Sequence, residues 1–132
     1  MHLLTIARSV LAIVLGYLLF ALPSFLVFKL FKQPPHEVAP LWFMTTAFVS
    51  GMFFALLGGY GAGLVAGRSA LGHGIGVAVL LALGASASLA STLGKGGAIW
   101  SQLAALTLMA PSAIAGGWLR QRQCKQQAGD PR

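Results

Sequence analysis

Four long apolar stretches, each bounded by polar residues, proline or glycine, set the pattern of this chain. The first runs from Ser9 to Leu30, with Arg8 before it and Lys29 and Lys32 closing it. Phe25-Leu26-Val27-Phe28 carry it past Ala21-Leu22-Pro23-Ser24, where a secretory signal would be cut, so an uncleaved span is expected. Three prolines between Gln33 and Pro40 forbid helix in the next segment. A second apolar stretch covers about residues 41–66 and opens with Trp42 at headgroup level. Gly67-Arg68-Ser69-Ala70-Leu71 connects it tightly to a third, over about 72–90. The glycine-bearing loop Ser91–Gly97 leads to a fourth, over about 98–119, with Trp100 near its start and Trp118 and Arg120 at its end. Each matches the length, roughly 20 residues, that a helix needs to cross a bilayer. The expectation is an all-α integral membrane protein, a four-transmembrane-helix bundle in one membrane domain with a basic tail over residues 120–132. Pro23 and Pro111 predict kinks in the first and fourth helices.

Sliding the chain by 58 positions lays Leu41-Trp42 over Ile99-Trp100, and Gly58-Gly59-Tyr60 over Gly116-Gly117-Trp118. This points to an internal repeat: two tandem helical hairpins of the same orientation, related by an axis along the membrane normal. Small residues recur every fourth position in the second span at Gly51, Ala55, Gly59, Gly63 and Gly67, and in the third at Gly74, Ala78, Ala82, Ser86 and Ala90. Lipid supplies no hydrophobic drive between helices, so close backbone contact must hold them, and these two stripes are expected to pack against each other as an antiparallel pair.

Composition strengthens the membrane reading: 57% of the 132 residues are hydrophobic and only 8% charged, against about 25% charged in a typical soluble domain. The mean hydropathy is +0.80. The net charge of +7 is spread over the ends of the spans rather than gathered in one patch. Six basic residues, Arg8, Arg68, Arg120, Arg122, Lys125 and Arg132, belong to one side and three, Lys29, Lys32 and Lys95, to the other, which favours cytoplasmic termini and a bacterial inner membrane. Membrane lipids are the expected partners, together with a homo-oligomer or a larger membrane complex; no nucleic acid is expected.

Candidate chemistry is sparse. The only acids, Glu37 and Asp130, lie outside the spans, so no intramembrane carboxylate is present to couple transport to protons. The single cysteine, Cys124, allows neither an intrachain disulfide nor a thiolate cluster. His36-Glu37 lacks a second His or Cys to complete a metal set, and no cofactor or metal site is expected. No nucleophile elbow, P-loop, dinucleotide or HExxH pattern appears, so no enzyme activity is expected. Arg68 and His73 flank a helix start and, with Arg120 and Arg122, are candidates for contact with a headgroup or anion. Thr45, Thr46, Ser50, Gln102, Thr107 and Ser112 give the bundle its internal polarity as interhelical or backbone hydrogen bonds, and Thr45, Thr46, Ser50, Thr107 and Ser112 would line a solute path if there were one. The expected function is that of a noncatalytic accessory or scaffold subunit, and the alternative is a small-solute transporter or channel working as a homo-oligomer.

Overall fold

The structure, a computed structural model, describes residues 1–130; Pro131 and Arg132, including the Arg132 charge counted toward orientation, lie outside the described residues. Among the described residues there are four long helices and no strand: α1 (His2–Leu30), α2 (Leu41–Ala66), α3 (Ala70–Leu93) and α4 (Trp100–Ala128). All four are long and apolar enough to cross a membrane.

Three of these helices outrun the apolar stretches that announced them. Hydropathy marks where lipid ends, whereas a helix continues until proline or glycine stops it. Thus α3 runs on to Leu93, before Gly94, and α4 carries the basic tail in helical form to Ala128, before Gly129. Nothing in His2–Arg8 breaks a helix, so α1 begins near the chain's first residue.

Pro23 sits within α1, which continues on both sides of it. At Pro111 the outcome is more specific than a kink. Residues Ala105–Met109 widen into a π-helical turn, with the Ala110 amide donating to the Ala105 carbonyl five residues back. Pro111 has no amide to offer, and the wider turn reroutes the bonds just ahead of it.

Chain direction alternates, so the start of α1, the end of α4 and the α2–α3 turn lie at one end, where the Arg8 side chain donates to the Val65 carbonyl and the Gln121 side chain accepts from the Leu71 amide. The central contact is between α2 and α4, which run parallel. A Cβ on Gly59 would collide with the Ala113 carbonyl, and one on Gly116 with the Leu56 carbonyl. Gly51 leaves room for the Met109 side chain. On the flanks, α1 meets α2 where Gly16 faces Gly58, and α3 meets α4 where Gly74 faces Gly117.

This corrects the expected pairing of stripes. In the α2 stripe Gly51 and Gly59 seat on α4, Gly63 abuts Ala70 of α3, and Gly67 lies against the Arg8 side chain of α1. A four-residue repeat advances by about 40° per step on a helix of 3.6 residues per turn, so such a stripe slants around its helix instead of keeping to one neighbour. The α3 set shows the same drift. Gly74 and Ala78 are buried, Ala82 is half-buried, and Ser86 and Ala90 are exposed on the outer surface.

At the end away from the termini, Phe43 is buried among Phe28, Phe31, Trp42 and Trp100, with ring centroids 5.3–6.1 Å from its own. The outward faces carry large apolar side chains, such as Leu11, Leu18, Leu22 and Phe25 on α1. That distribution suits a lipid surround, because the helices satisfy their own backbone and present hydrocarbon outward.

Candidate anion site at the basic end

The turn between α2 and α3 is built from two residues in the left-handed region. Gly67 ends α2 at φ 67° with its amide donating to the Gly63 carbonyl, and Ser69 precedes α3 at φ 41°. This sharp reversal brings Arg68 alongside the last turns of α4. Arg68, Ser69, Arg120, Gln121, Cys124 and Lys125 line a cavity of about 480 Å³ there, with Gly63 and Ala70 at its base. Glycine at 63 lets Ala70 come close, its Cβ 2.7 Å from where a Cβ on residue 63 would stand, and the Arg120 Cγ lies 3.2 Å from the same point.

Three cations therefore face one cavity, and the protein answers them only in part. Arg68 donates from Nη2 to the Ser9 hydroxyl at 3.0 Å, a neutral acceptor. The Arg120 Nε–H is enclosed and has no acceptor at all. An unmet buried donor costs on the order of 1–3 kcal/mol, and more on a charged group. Gln121 does not answer it, since its Oε1 accepts from the Leu71 amide at 3.1 Å. Of the two acids, Glu37 lies at the opposite end of the bundle, and Asp130 follows the end of α4 and has an interaction of its own.

Of the four residues expected to meet a headgroup, the cavity gathers Arg68 and Arg120. His73 is buried and points its Nδ1–H at the Ser69 carbonyl, 2.9 Å away, so it buttresses the turn. Arg122 lies over the Trp118 ring at 4.7 Å, outside the cavity. Lys125 and Gln121, which the sequence did not single out as contacts, complete the lining; four residues apart, they share one face of the tail, and only a helical tail makes that visible.

The solute-path candidates are not brought together. Thr45, Thr46, Ser50, Thr107 and Ser112 each donate to the carbonyl four residues back on their own helix, at 2.7–3.0 Å. Thr45, Thr46 and Thr107 are exposed on outer faces, and Thr45, Thr46 and Ser50 border an open apolar groove on α2 beside Trp42 and Phe53.

A second polar group, centred on Gln102, closes the other end. Gln102, only 3% exposed, donates from Nε2 to His36 Nδ1 at 2.8 Å and to the Ser88 hydroxyl at 3.2 Å. The Trp100 indole donates to the Glu37 carbonyl at 2.9 Å, and the Ala98 amide to the His36 carbonyl at 2.8 Å. These bonds strap the proline-rich loop across α3 and α4. His36 and Glu37 thus serve the strap, one through its ring and the other through its backbone. A lone amide in an apolar span is the signal that could have found it. No protein-family model matches the chain, and no curated protein or solved structure matches it either.

Proposed function

We propose that the chain is a small noncatalytic polytopic membrane protein serving as an accessory or scaffold subunit, associated with itself or with a larger membrane complex. The observation that carries this reading is the backbone-to-backbone contact of Gly59 with Ala113 and Gly116 with Leu56 at the centre of the bundle. Such contact fills the space a conduction path would need, and the hydroxyls that could have lined one are spent on their own helices. A bacterial inner membrane with cytoplasmic termini is the setting this reading assigns, supported by Arg8, Arg68, Arg120, Arg122 and Lys125 at the end that holds the termini. Two tandem hairpins derived from one unit remain part of this reading, on the sequence match of Gly58-Gly59-Tyr60 with Gly116-Gly117-Trp118.

The test is reconstitution beside co-purification. The expected result is that liposomes holding the protein stay as impermeable to ions and small neutral solutes as empty ones, while gentle solubilisation recovers it with defined partner subunits or as a fixed oligomer. A selective flux lost on Ser50→Ala or Ser112→Ala would overturn the reading in favour of transport.

A further inference from the structure

We propose that the cavity lined by Arg68, Arg120 and Lys125 is a binding site for a single phosphate group, in the first place that of an anionic phospholipid headgroup. The inference goes beyond the scaffold reading and stands or falls separately from it.

Depth comes first. Trp100 and Arg120 are about 20 residues apart on α4, about 30 Å at 1.5 Å per residue, which is the thickness of the hydrocarbon layer. With Trp100 at one interface, Arg120 stands at the other, where lipid phosphates lie. Lys125, a further turn out, reaches into the headgroup layer.

Chemistry comes second. The cavity offers two guanidinium groups and an ammonium, and guanidinium presents its donors in a planar fork that matches phosphate oxygens. The hydroxyl of Ser69 adds a neutral donor to the lining. Within the chain Arg68 has found only the neutral Ser9 hydroxyl; a phosphate would meet Arg120 through its terminal guanidinium nitrogens, because the Nε–H is enclosed. A phosphate seated between Arg68 and Arg120 supplies up to three acceptor oxygens and up to two negative charges where the protein supplies three positive ones.

Gly63 and the reversed turn look purposeful in this light. The Arg120 stem lies close to the glycine, and the left-handed Gly67 and Ser69 hold Arg68 opposite it. Arg122, by contrast, stacks on Trp118 and belongs to the general basic collar.

Native mass spectrometry of the full chain, released from mixed micelles holding equal phosphatidylglycerol and phosphatidylcholine, tests the site. The expected spectrum shows one phosphatidylglycerol retained per chain. Arg120→Gln or Arg68→Gln should each reduce that adduct about fivefold or more, the factor expected for one basic residue beside an anionic headgroup. Arg122→Gln should leave it in place. Lys125→Gln keeps the test open if either arginine variant fails to fold. Adding inorganic phosphate separates the sources: displacement of the lipid assigns the site to a soluble phosphate, and no displacement assigns it to the headgroup, the phosphate chemistry holding in both. Equal retention of the two lipids, or an Arg122→Gln loss as large as that of Arg120→Gln, would overturn the proposal, because either marks a diffuse charge effect without a site.

Discussion

Gly59 on α2 and Ala113 on α4 meet so closely that the carbonyl oxygen of Ala113 occupies the space a side chain on residue 59 would need. Neither contacting group can rotate away, since one is a hydrogen and the other a peptide carbonyl locked in a helix. The contact therefore converts the absence of one methyl group into the spacing of two helices.

Gly59→Ala should consequently destabilise the bundle by about 2–3 kcal/mol, at the upper end of the overpacking range. Gly61→Ala, two residues on, should cost less than about 0.5 kcal/mol, because only the mobile end of Leu19 lies near its added methyl. Reversible unfolding in mixed detergent measures both, and equal losses would sink the distinction.

Removing the buried amide should loosen the opposite end. Gln102→Leu removes the shorter of the two bonds to the His36 ring, leaving only the Thr92 hydroxyl at 3.3 Å, and removes the Ser88 hydroxyl's donor; it should cost about 1–3 kcal/mol. Hydrogen exchange should report it locally, as faster exchange at the Ala98 amide, which is bonded to the His36 carbonyl, with α2 unchanged. Unaltered exchange at Ala98 would mean the strap does not depend on Gln102.

The exposed hydroxyls should prove dispensable. Thr45→Val and Thr107→Val exchange a group already bonded to its own helix for one that suits lipid equally well, and each should change stability by no more than about 0.5 kcal/mol. A melting shift of several degrees for either would show that the hydroxyl has a partner outside the chain.

Topology can be read from the one thiol. Cys124 is exposed on the last turns of α4, so, on the proposed orientation, a membrane-impermeant maleimide should label it in inverted vesicles and not in intact spheroplasts. A cysteine replacing Lys95, in a Cys124→Ser background, should give the reverse pattern. Labelling of both from one side would contradict the alternating arrangement of helices.

The four helices were legible because lipid imposes a length and a polarity that no short break can hide. The α2 stripe was also visible, as far as Gly51, Ala55, Gly59 and Gly63 are buried where they were expected to be. Its principal partner was not visible. Helix α4 meets α2 with Met109, Ala113 and Gly116, a grouping that a search for small residues at four-residue spacing passes over, and the slant of such a stripe depends on how the helices cross. The site at the basic end was half legible: Arg68 and Arg120 declare themselves as boundary charges, but Lys125 joins them only because the tail remains helical. The link from Gln102 to His36 spans 66 positions of sequence and no local pattern encodes it.

A seam made of peptide groups also bears on how this protein meets bilayers of different thickness. Bundles joined by long side chains can let one helix ride along another as rotamers change, but α4 cannot ride along α2 without pushing the Ala113 oxygen into the next residue's side chain. Accommodation to a thinner or thicker bilayer must then come from inclination of the whole molecule and from deformation of the surrounding lipid. Four spans answering as one plank would pass a local change of thickness from one edge of the protein to the other.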